Sequence, residues 1–346
     1  MWSRGFSYLA ILWGRGMARR QWLRTAAILT FSLAVSAASP SGSAAPPLRI
    51  GVLKFGTVSW VLDVVRQQGL DRAEGVRIEP VELASTPATQ VALQAGSVDM
   101  VVSDWLWVSR QRGAGADWTF IPFSTALGAL VVPPQSAVRS LADLRHRRLG
   151  IAGSPLDKSW LILRLLAQQR DGIDLDRETE KSFGAPPLLD QELAAGRLDA
   201  VLTYWPFAAR LEAQGMRRVL SMSEALEALG IASAVPMVGY VVSERWAAAN
   251  GEALQGFLHA ARRAERILAT DDAQWARIAT LTGARDATEL RHLRDGFRAG
   301  LLQRWGAAER QDAERLYRLL AEVGGPALVG TSMTLSPGTF LAEVQY

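Results

Sequence analysis

The sequence predicts an α/β fold of two lobes, each a mostly parallel β-sheet flanked by helices, with two crossover strands joining the lobes. Three observations support this prediction. A 14-residue segment recurs one hundred positions further on, short β-rich runs alternate with helical segments, and two similar β-rich segments bracket the second copy of the repeat.

The repeat aligns residues 92–105 (ALQAGSVDMVVSDW) with residues 192–205 (ELAAGRLDAVLTYW). An earlier pair, RIGVL at 49–53 and RLGIA at 148–152, has nearly the same offset. Each copy predicts a strand, a helix, and a further helix that a glycine ends before the next strand. Such alternation indicates parallel strands covered by helices. We interpret the repeated glycines as helix C-caps and the repeated aspartates as turn residues: Gly96, Gly196, Asp99 and Asp199.

The crossovers are predicted from two β-rich segments, LGALVVPPQS at 127–136 and MVGYVVSERW at 237–246. The simplest connection leaves lobe one near 131 and returns near 238. Lobe one then comprises residues 46–130 and 237–346, lobe two comprises 131–236, and the lobes rotate about 130–132 and 238–242. Apolar residues at three-and-four spacing predict a helical tail from residue 252 onward.

Composition excludes several classes of protein. The 346 residues include no cysteine and three histidines, so thiolate metal sites and cysteine nucleophiles are ruled out. Lysine and arginine number 38 against 34 acidic residues, but five arginines and no acidic residue lie in 1–44. The remainder holds 33 basic and 34 acidic residues, a net charge of −1. The basic character belongs to the leader, so a nucleic-acid partner is not expected.

Residues 1–44 are predicted to be an export signal. A basic start at 17–24 (MARRQWLR) precedes an apolar run at 26–38, and cleavage is plausible after Ala37 or Ala44. Arg19 and Arg20 resemble a twin-arginine signal, and Sec export stays open. A buried helix or short anchor is the alternative, and the start codon is Met1 or Met17. We expect a soluble, exported, periplasmic protein.

Ligands of open α/β sheets bind beyond the carboxyl ends of the strands. The candidate ligand-binding residues therefore lie in the loops after the predicted strands. They are Lys54, Gly56, Thr57, Trp60, Ser85, Thr86, Asp104, Trp105, Ser124, Ser154, Asp157, Lys158, Tyr204 and Trp205.

Two chemistries are open at these loops. The chain has 35 arginines and three lysines, and Lys54 and Lys158 both fall in predicted cleft loops, where an ammonium can pair with a ligand anion. Free N–H groups at 56–57 and 153–154 suit the same anion. Plain helix capping by Thr57, Ser59 or Ser154 is the alternative.

Aromatic residues indicate the second chemistry. Five of the nine tryptophans after the leader lie in or beside these loops, where rings can stack on a flat ligand or enclose a quaternary ammonium group. Asp104, Asp157 and Asp190 could then supply the countercharge. Trp60 and Trp160 are alternatively core residues.

Catalysis, metal binding and cofactors are not expected. His146 lies in a basic run and the other two histidines lie in the helical tail, so no pair has metal-ligand spacing. No segment matches a nucleophile elbow, a Walker loop or a dinucleotide fingerprint.

The opening RIGVLKFG and the segments ALQAGSVDMVVSD, ALVVPPQSAVRSLADLRHRRLGIAGSPLDKSW and ELAAGRLDAVLTYWP resemble the substrate-binding proteins of ABC importers for nitrate, sulfonate and taurine, a group that includes thiamine-precursor binders. The resemblance spans about residues 48–245. It implies a two-lobed type II periplasmic binding fold, ligand capture between the lobes, and delivery to an ABC permease with its ATPase.

The function expected from this resemblance is that of a monomeric, non-enzymatic receptor. Its ligand is a small organic molecule, anionic and sulfonate-like or aromatic. The alternatives are an enzyme of the same fold that acts on a small precursor, and a receptor that presents its ligand to a sensor. The fungal pyrimidine-forming relatives use a cysteine-rich motif, which this chain lacks.

Overall fold

The computed structural model describes residues 46–54 and 56–342. The predicted export signal therefore lies outside the described residues. Within them the strands are β1 (Leu48–Leu53), β2 (Ile78–Leu83), β3 (Met100–Ser103), β4 (Trp118–Ser124), β5 (Gly128–Val132), β6 (Arg148–Ala152), β7 (Glu180–Gly184), β8 (Ala200–Tyr204), β9 (Arg217–Ser221) and β10 (Val238–Ser243).

The helices cover both sheets and form most of the described tail. They are α1 (Val58–Gln67), α2 (Leu70–Ala73), α3 (Thr86–Gln94), α4 (Trp105–Gly113), α5 (Lys158–Asp171), α6 (Leu175–Glu178), α7 (Pro186–Ala194), α8 (Trp205–Ala213), α9 (Met222–Ala228), α10 (Glu244–Ala249), α11 (Gly251–Thr270), α12 (Asp272–Arg277), α13 (Ala279–Thr282), α14 (Ala287–Ala299) and α15 (Ala307–Val329). A 3₁₀ turn spans Ala142–Leu144.

Two five-stranded sheets define the two lobes. The strand order is β2-β1-β3-β10-β4 in lobe one and β7-β6-β8-β5-β9 in lobe two. In each sheet one strand, β10 or β5, is antiparallel to both of its neighbours, and the observed pairings of the other strands are parallel. This architecture confirms the predicted two-lobed α/β fold.

The repeated residues build the same strand start in both lobes. Gly96 and Gly196 adopt φ values of 68° and 70°, the left-handed conformation that ends a helix. Each aspartate three positions later receives hydrogen bonds from the backbone and guanidinium of an arginine on the neighbouring strand. The pairs are Arg49 with Asp99 and Arg148 with Asp199, and the closest N–O distance is 2.7 Å in both.

The connections between the sheets differ from the predicted crossovers. All of β5 pairs within the second sheet and all of β10 within the first, so 130–132 and 238–242 are sheet strands. The chain passes from the first sheet to the second at residues 125–127, ahead of the predicted boundary at 130, and returns after α9 through 229–237. The boundary predicted between 130 and 131 therefore falls inside β5, and the points about which the lobes rotate stay a prediction.

The helical tail, which the sequence assigns to lobe one, packs against both lobes. Helix α14 lies along α8 of lobe two, and α15 contacts both α5 and α4. Arg210 on α8 forms an ion pair with Glu289 on α14 at 2.9 Å, and the Glu289 side chain is almost fully buried. The tail therefore joins the lobes instead of extending only one of them.

Candidate functional site

The carboxyl ends of the parallel strands of the two lobes approach one another, and an ion pair crosses between them. Asp104 follows β3 of lobe one and Lys158 opens α5 of lobe two. Their Oδ2 and Nζ atoms are 3.6 Å apart, and the side chains are 23% and 20% exposed. The structure thus brings together two of the predicted site residues, one from each lobe.

Both aspartates at this site are helix caps. Asp104 Oδ1 accepts a hydrogen bond from the Trp107 N–H at 2.9 Å, and Asp157 Oδ1 accepts one from the Ser159 N–H at 2.9 Å. Capping fixes each carboxylate at the N-terminus of its helix, where the helix dipole also favours negative charge. The second oxygen, Oδ2, of each aspartate contacts another side chain. Asp104 Oδ2 lies 3.6 Å from Lys158 Nζ, and Asp157 Oδ2 accepts a hydrogen bond from the Tyr204 hydroxyl.

Tyr204, the last residue of β8, lies beside these charged side chains. Its hydroxyl donates to Asp157 Oδ2 at 3.3 Å, and the residue is 37% exposed. Gly153 makes room for it, because a Cβ at that position would lie 2.6 Å from the tyrosine oxygen and the backbone there has φ +95°. The sequence assigns Gly153 to an anion-binding loop, but its N–H donates to the Gly184 carbonyl at 3.0 Å. We call Asp104, Asp157, Lys158 and Tyr204 the cleft cluster.

Burial and neighbouring charges shift the pKa values of the cleft cluster. Burial raises the pKa of Asp157 and outweighs the opposing effect of Lys158 and of the hydrogen bond from the Ser159 N–H. Burial lowers the pKa of Lys158, but the charges of Asp104 and Asp157 outweigh it, so that the net direction is upward. Burial also raises the pKa of the Tyr204 phenol, and the Asp157 charge adds to the effect.

The loop after β1 supplies three of the residues predicted from the sequence, Lys54, Gly56 and Thr57. Lys54 follows the strand, and the Gly56 N–H donates to the Leu53 carbonyl at 2.8 Å. Thr57 occupies the N-cap position of α1, yet among the described residues no side-chain hydrogen bond caps the helix there. The Ser59 hydroxyl lies 3.5 Å from the Leu53 carbonyl. The capping alternative therefore does not apply to Thr57.

The predicted serine and threonine sites have local roles in the backbone. Ser85 caps α3 by accepting from the Ala88 N–H at 3.3 Å, and Thr86 is the first residue of that helix. Ser154 Oγ accepts from the Leu156 N–H at 3.2 Å, ahead of the helix that Asp157 caps. Ser124 donates to the Gly300 carbonyl at 3.1 Å and so ties the end of β4 to the tail.

Two of the predicted aromatic site residues are core residues. Trp105 is fully buried, and its Nε1–H donates to the Pro236 carbonyl at 2.8 Å. Trp60 is 3% exposed and packs edge-on against Trp205 and Trp275, with ring centroids 6.0 and 5.7 Å apart. Their assignment to a cleft wall is corrected, because neither ring has the exposed face that a ligand needs. Trp160 is fully buried too.

Trp205 is half-buried and lines a cavity of about 340 Å³ beside the 125–127 connection. Helices α8 and α14 form its walls, and Glu212, Arg218, His292 and Asp295 contribute charged or titratable groups. Glu212 is already paired with Arg218 at 2.6 Å. None of the cleft cluster lines this cavity, which lies on the tail side of lobe two.

The described residues contain no helix long and apolar enough to cross a membrane. They also contain no group of three or more His, Asp or Glu side chains arranged to hold a metal ion.

The fold is shared with solved periplasmic binding proteins. The alkanesulfonate-binding protein SsuA of Xanthomonas axonopodis pv. citri, bound to MOPS, superposes with a TM-score of 0.65 at 21% identity, over 85% of this chain and 97% of that one. The periplasmic aliphatic sulphonate-binding protein SsuA of Escherichia coli gives 0.66 at 20% identity, over 87% and 95%. The desulfurization enzyme DSZB gives 0.53 at 15% identity, over 84% and 97%. These similarities establish the class of fold, the two-lobed type II periplasmic binding architecture.

Residues 64–273, more than half of the chain, match the model of a protein family described as NMT1/THI5 like, and the chain belongs to this family. The resemblance predicted from the sequence motifs is thereby confirmed. No curated protein sequence matches the chain significantly.

Proposed function

We propose that this protein is a periplasmic solute receptor that captures a small organic ligand between its lobes and delivers it to an ABC permease with its ATPase. The observation that carries the proposal is the contact of Lys158 with Asp104, which places charged groups of both lobes within 3.6 Å at the strand ends. Membership of the NMT1/THI5-like family and the shared fold support a solute-binding role.

The cleft cluster suits capture better than catalysis. Its two carboxylates are fixed as helix caps, so that their hydrogen bonds are in place before a ligand arrives. Ligand contacts from both lobes exist together only when the lobes are close. Binding therefore shifts the population toward the closed state, by rotation at 125–127 and in the returning segment 229–237.

The test is a titration of the processed chain, followed by intrinsic tryptophan fluorescence and thermal melting, with matched amines, sulfonates, carboxylates and aromatic compounds. A ligand at one hundred times its Kd should stabilise the protein by about 2.7 kcal/mol. Its radius of gyration in small-angle scattering should fall at saturation. A panel without any saturable binding, or turnover of a bound compound into product, contradicts the proposal.

A further inference from the structure

We propose that the tail helix α14 forms an interlobe latch, which holds lobe two against lobe one and sets how far the cleft of the ligand-free protein opens. The latch consists of Glu289 and Gly296 on α14, Trp60 on α1 of lobe one, and Trp205 and Arg210 on α8 of lobe two. The inference rests on the lobe rotation of the proposed function, and it names the contacts that regulate this rotation.

Helix α14 is fixed to lobe one. The ring of Phe297 on α14 packs against Trp60, with the ring centroids 6.1 Å apart. At the end of the helix, the Gly300 carbonyl accepts hydrogen bonds from the Ser124 hydroxyl at 3.1 Å and from the Thr125 N–H at 3.0 Å. Ser124 is the last residue of β4, and Thr125 begins the connection to lobe two. The helix is therefore anchored where the chain leaves lobe one.

The first contact of the latch with lobe two is made by the Trp205 ring. Trp60 packs edge-on against this ring, with centroids 6.0 Å apart. Gly296 lies so close to it that a Cβ at that position would be 2.9 Å from two of the ring atoms. Only a glycine permits so close an approach of the α14 backbone. A rotation that carries lobe two away from α1 and α14 removes both contacts.

The second contact is the buried ion pair between Arg210 and Glu289. Arg210 Nε and Glu289 Oε1 are 2.9 Å apart, and the Glu289 side chain is 2% exposed. Arg210 also donates to the carbonyl of Thr282, the last residue of α13 in the tail, at 2.7 Å. Breaking a buried ion pair is costly, because it leaves a poorly solvated charge without its partner. The pair therefore opposes any rotation that separates α8 from α14.

The latch lies beside the connection at 125–127. Ala126, Trp205, Gly296 and Gly300 line the same cavity, which none of the cleft cluster lines. Because each lobe moves as a rigid body, a small displacement near this connection produces a larger one at the cleft. The latch therefore changes the population of the closed state without supplying a side chain to the cleft cluster. Loss of the latch should weaken the binding of every ligand by the same factor.

The experiment measures the distance between the lobes in the ligand-free protein. The chain has no cysteine, so nitroxide labels attach only where Val91→Cys on α3 and Leu188→Cys on α7 introduce exposed thiols. In this labelled protein, Gly296→Ala should shift the distance measured by pulsed electron paramagnetic resonance to longer values, because the added Cβ displaces the Trp205 ring. Glu289→Gln should shift it in the same direction, because the amide lacks the charge that holds Arg210.

Two matched controls distinguish a latch from a merely structural role. Gly256→Ala on α11 places a Cβ 2.8 Å from the Glu74 carbonyl oxygen, in a contact that lies within lobe one. Glu309→Gln removes a similarly buried carboxylate, which pairs with Arg304 at 2.7 Å within the tail. Both controls should lower the Tm and leave the distance between the labels unchanged.

An unchanged distance in both latch variants, or an equal shift in the controls, overturns the inference. If Gly296→Ala does not fold, the comparison of Glu289→Gln with Glu309→Gln decides. The measurement needs no ligand, so its outcome is separate from that of the binding titration. A compound panel without saturable binding contradicts the proposed function, whereas the label distances alone test the latch.

Discussion

The two lobes contain the same strand-and-helix repeat. Their residues match where the strands begin and differ where the strands end. At the strand starts the same arginine–aspartate pair recurs with the same bonding pattern, Arg49 with Asp99 and Arg148 with Asp199. At the strand ends, lobe one has Thr57 where lobe two has Asp157.

The same divergence holds for the rest of the cleft cluster. Lobe one has Val58 where lobe two has Lys158, and it has Asp104 where lobe two has Tyr204. Lobe two therefore supplies three members of the cluster and lobe one supplies one. The two copies of the repeat therefore share the residues that start their strands. The residues that line the cleft lie at positions where the two copies differ.

Trp105 and Trp205 occupy equivalent positions, and mutating each provides the strongest test of the comparison. Trp105→Ala should lower the free energy of unfolding by about 3–5 kcal/mol, because it opens a cavity and leaves the Pro236 carbonyl without its donor. Trp205→Ala should cost clearly less, since Trp205 is only half-buried. Urea denaturation of both variants measures the difference. Equal costs would show that the two positions are not distinguished by burial.

Asp190 and its lobe-one equivalent Gln90 give a second test. Gln90 donates to Ser103 at 3.2 Å, whereas the buried Oδ1 of Asp190 and Oγ1 of Thr203 have no hydrogen-bond partner among the described residues. Burial raises the pKa of Asp190 from its ordinary value of 3.8 to about 6. The folded state thus holds the proton more tightly than the unfolded state, and stability falls as the pH rises from about 4 to about 6.

Asp190→Gln should remove this dependence, because a neutral amide has no proton to lose. We expect a gain of about 1 kcal/mol at pH 7 after allowance for the solvent exposure of the site, and no gain at pH 4. Denaturation of wild type and variant at both pH values measures it. A gain of equal size at pH 4 would mean that packing, and not charge, is responsible.

The third test concerns the shared strand starts. Asp99→Ala and Asp199→Ala should each cost about 1 kcal/mol, since both ion pairs are partly exposed but also accept a backbone N–H. The costs should be equal within error and should add in the double variant, because the sites lie in different lobes. Thermal melting of the three variants tests this. A marked inequality would break the equivalence of the lobes.

The two lobes and many of their strands and helices could be predicted from the sequence, because the internal repeat shows where equivalent elements begin. The predicted strand at 148–152 coincides with β6, and the glycines at 96 and 196 end their helices as expected. The connection at 125–127 was misplaced because a β-rich run such as β5 shows that a strand exists without showing which sheet it joins. Pairing depends on contacts with β8 and β9, whose paired residues lie 70 or more positions further along the chain.

Some of the contacts at the candidate site could be predicted from the sequence. Strand-end loops brought Asp104, Asp157, Lys158 and Tyr204 into one list, and the structure joins them. The lysine count suggests an anionic ligand, which stays a prediction, because a sequence shows that an ammonium is present and not that Lys158 already pairs with Asp104. Trp105 was wrongly predicted to line the cleft for a similar reason. Tyr317 and Phe340 of the tail pack next to its ring, and the sequence near residue 105 gives no sign of these distant contacts.

The position of β10 between β3 and β4 has a consequence for the order in which the chain can fold. Residues 46–124 leave the ribosome without this inner strand, which arrives only after the whole of lobe two has been made. The first sheet is therefore complete only when β10 pairs with β3 and β4. These strands are far apart in the sequence, and such long-range pairing slows folding. Lobe two has its five strands within 128–221 and can complete its sheet first. Until β10 arrives, β3 and β4 present open edges to which other chains can add.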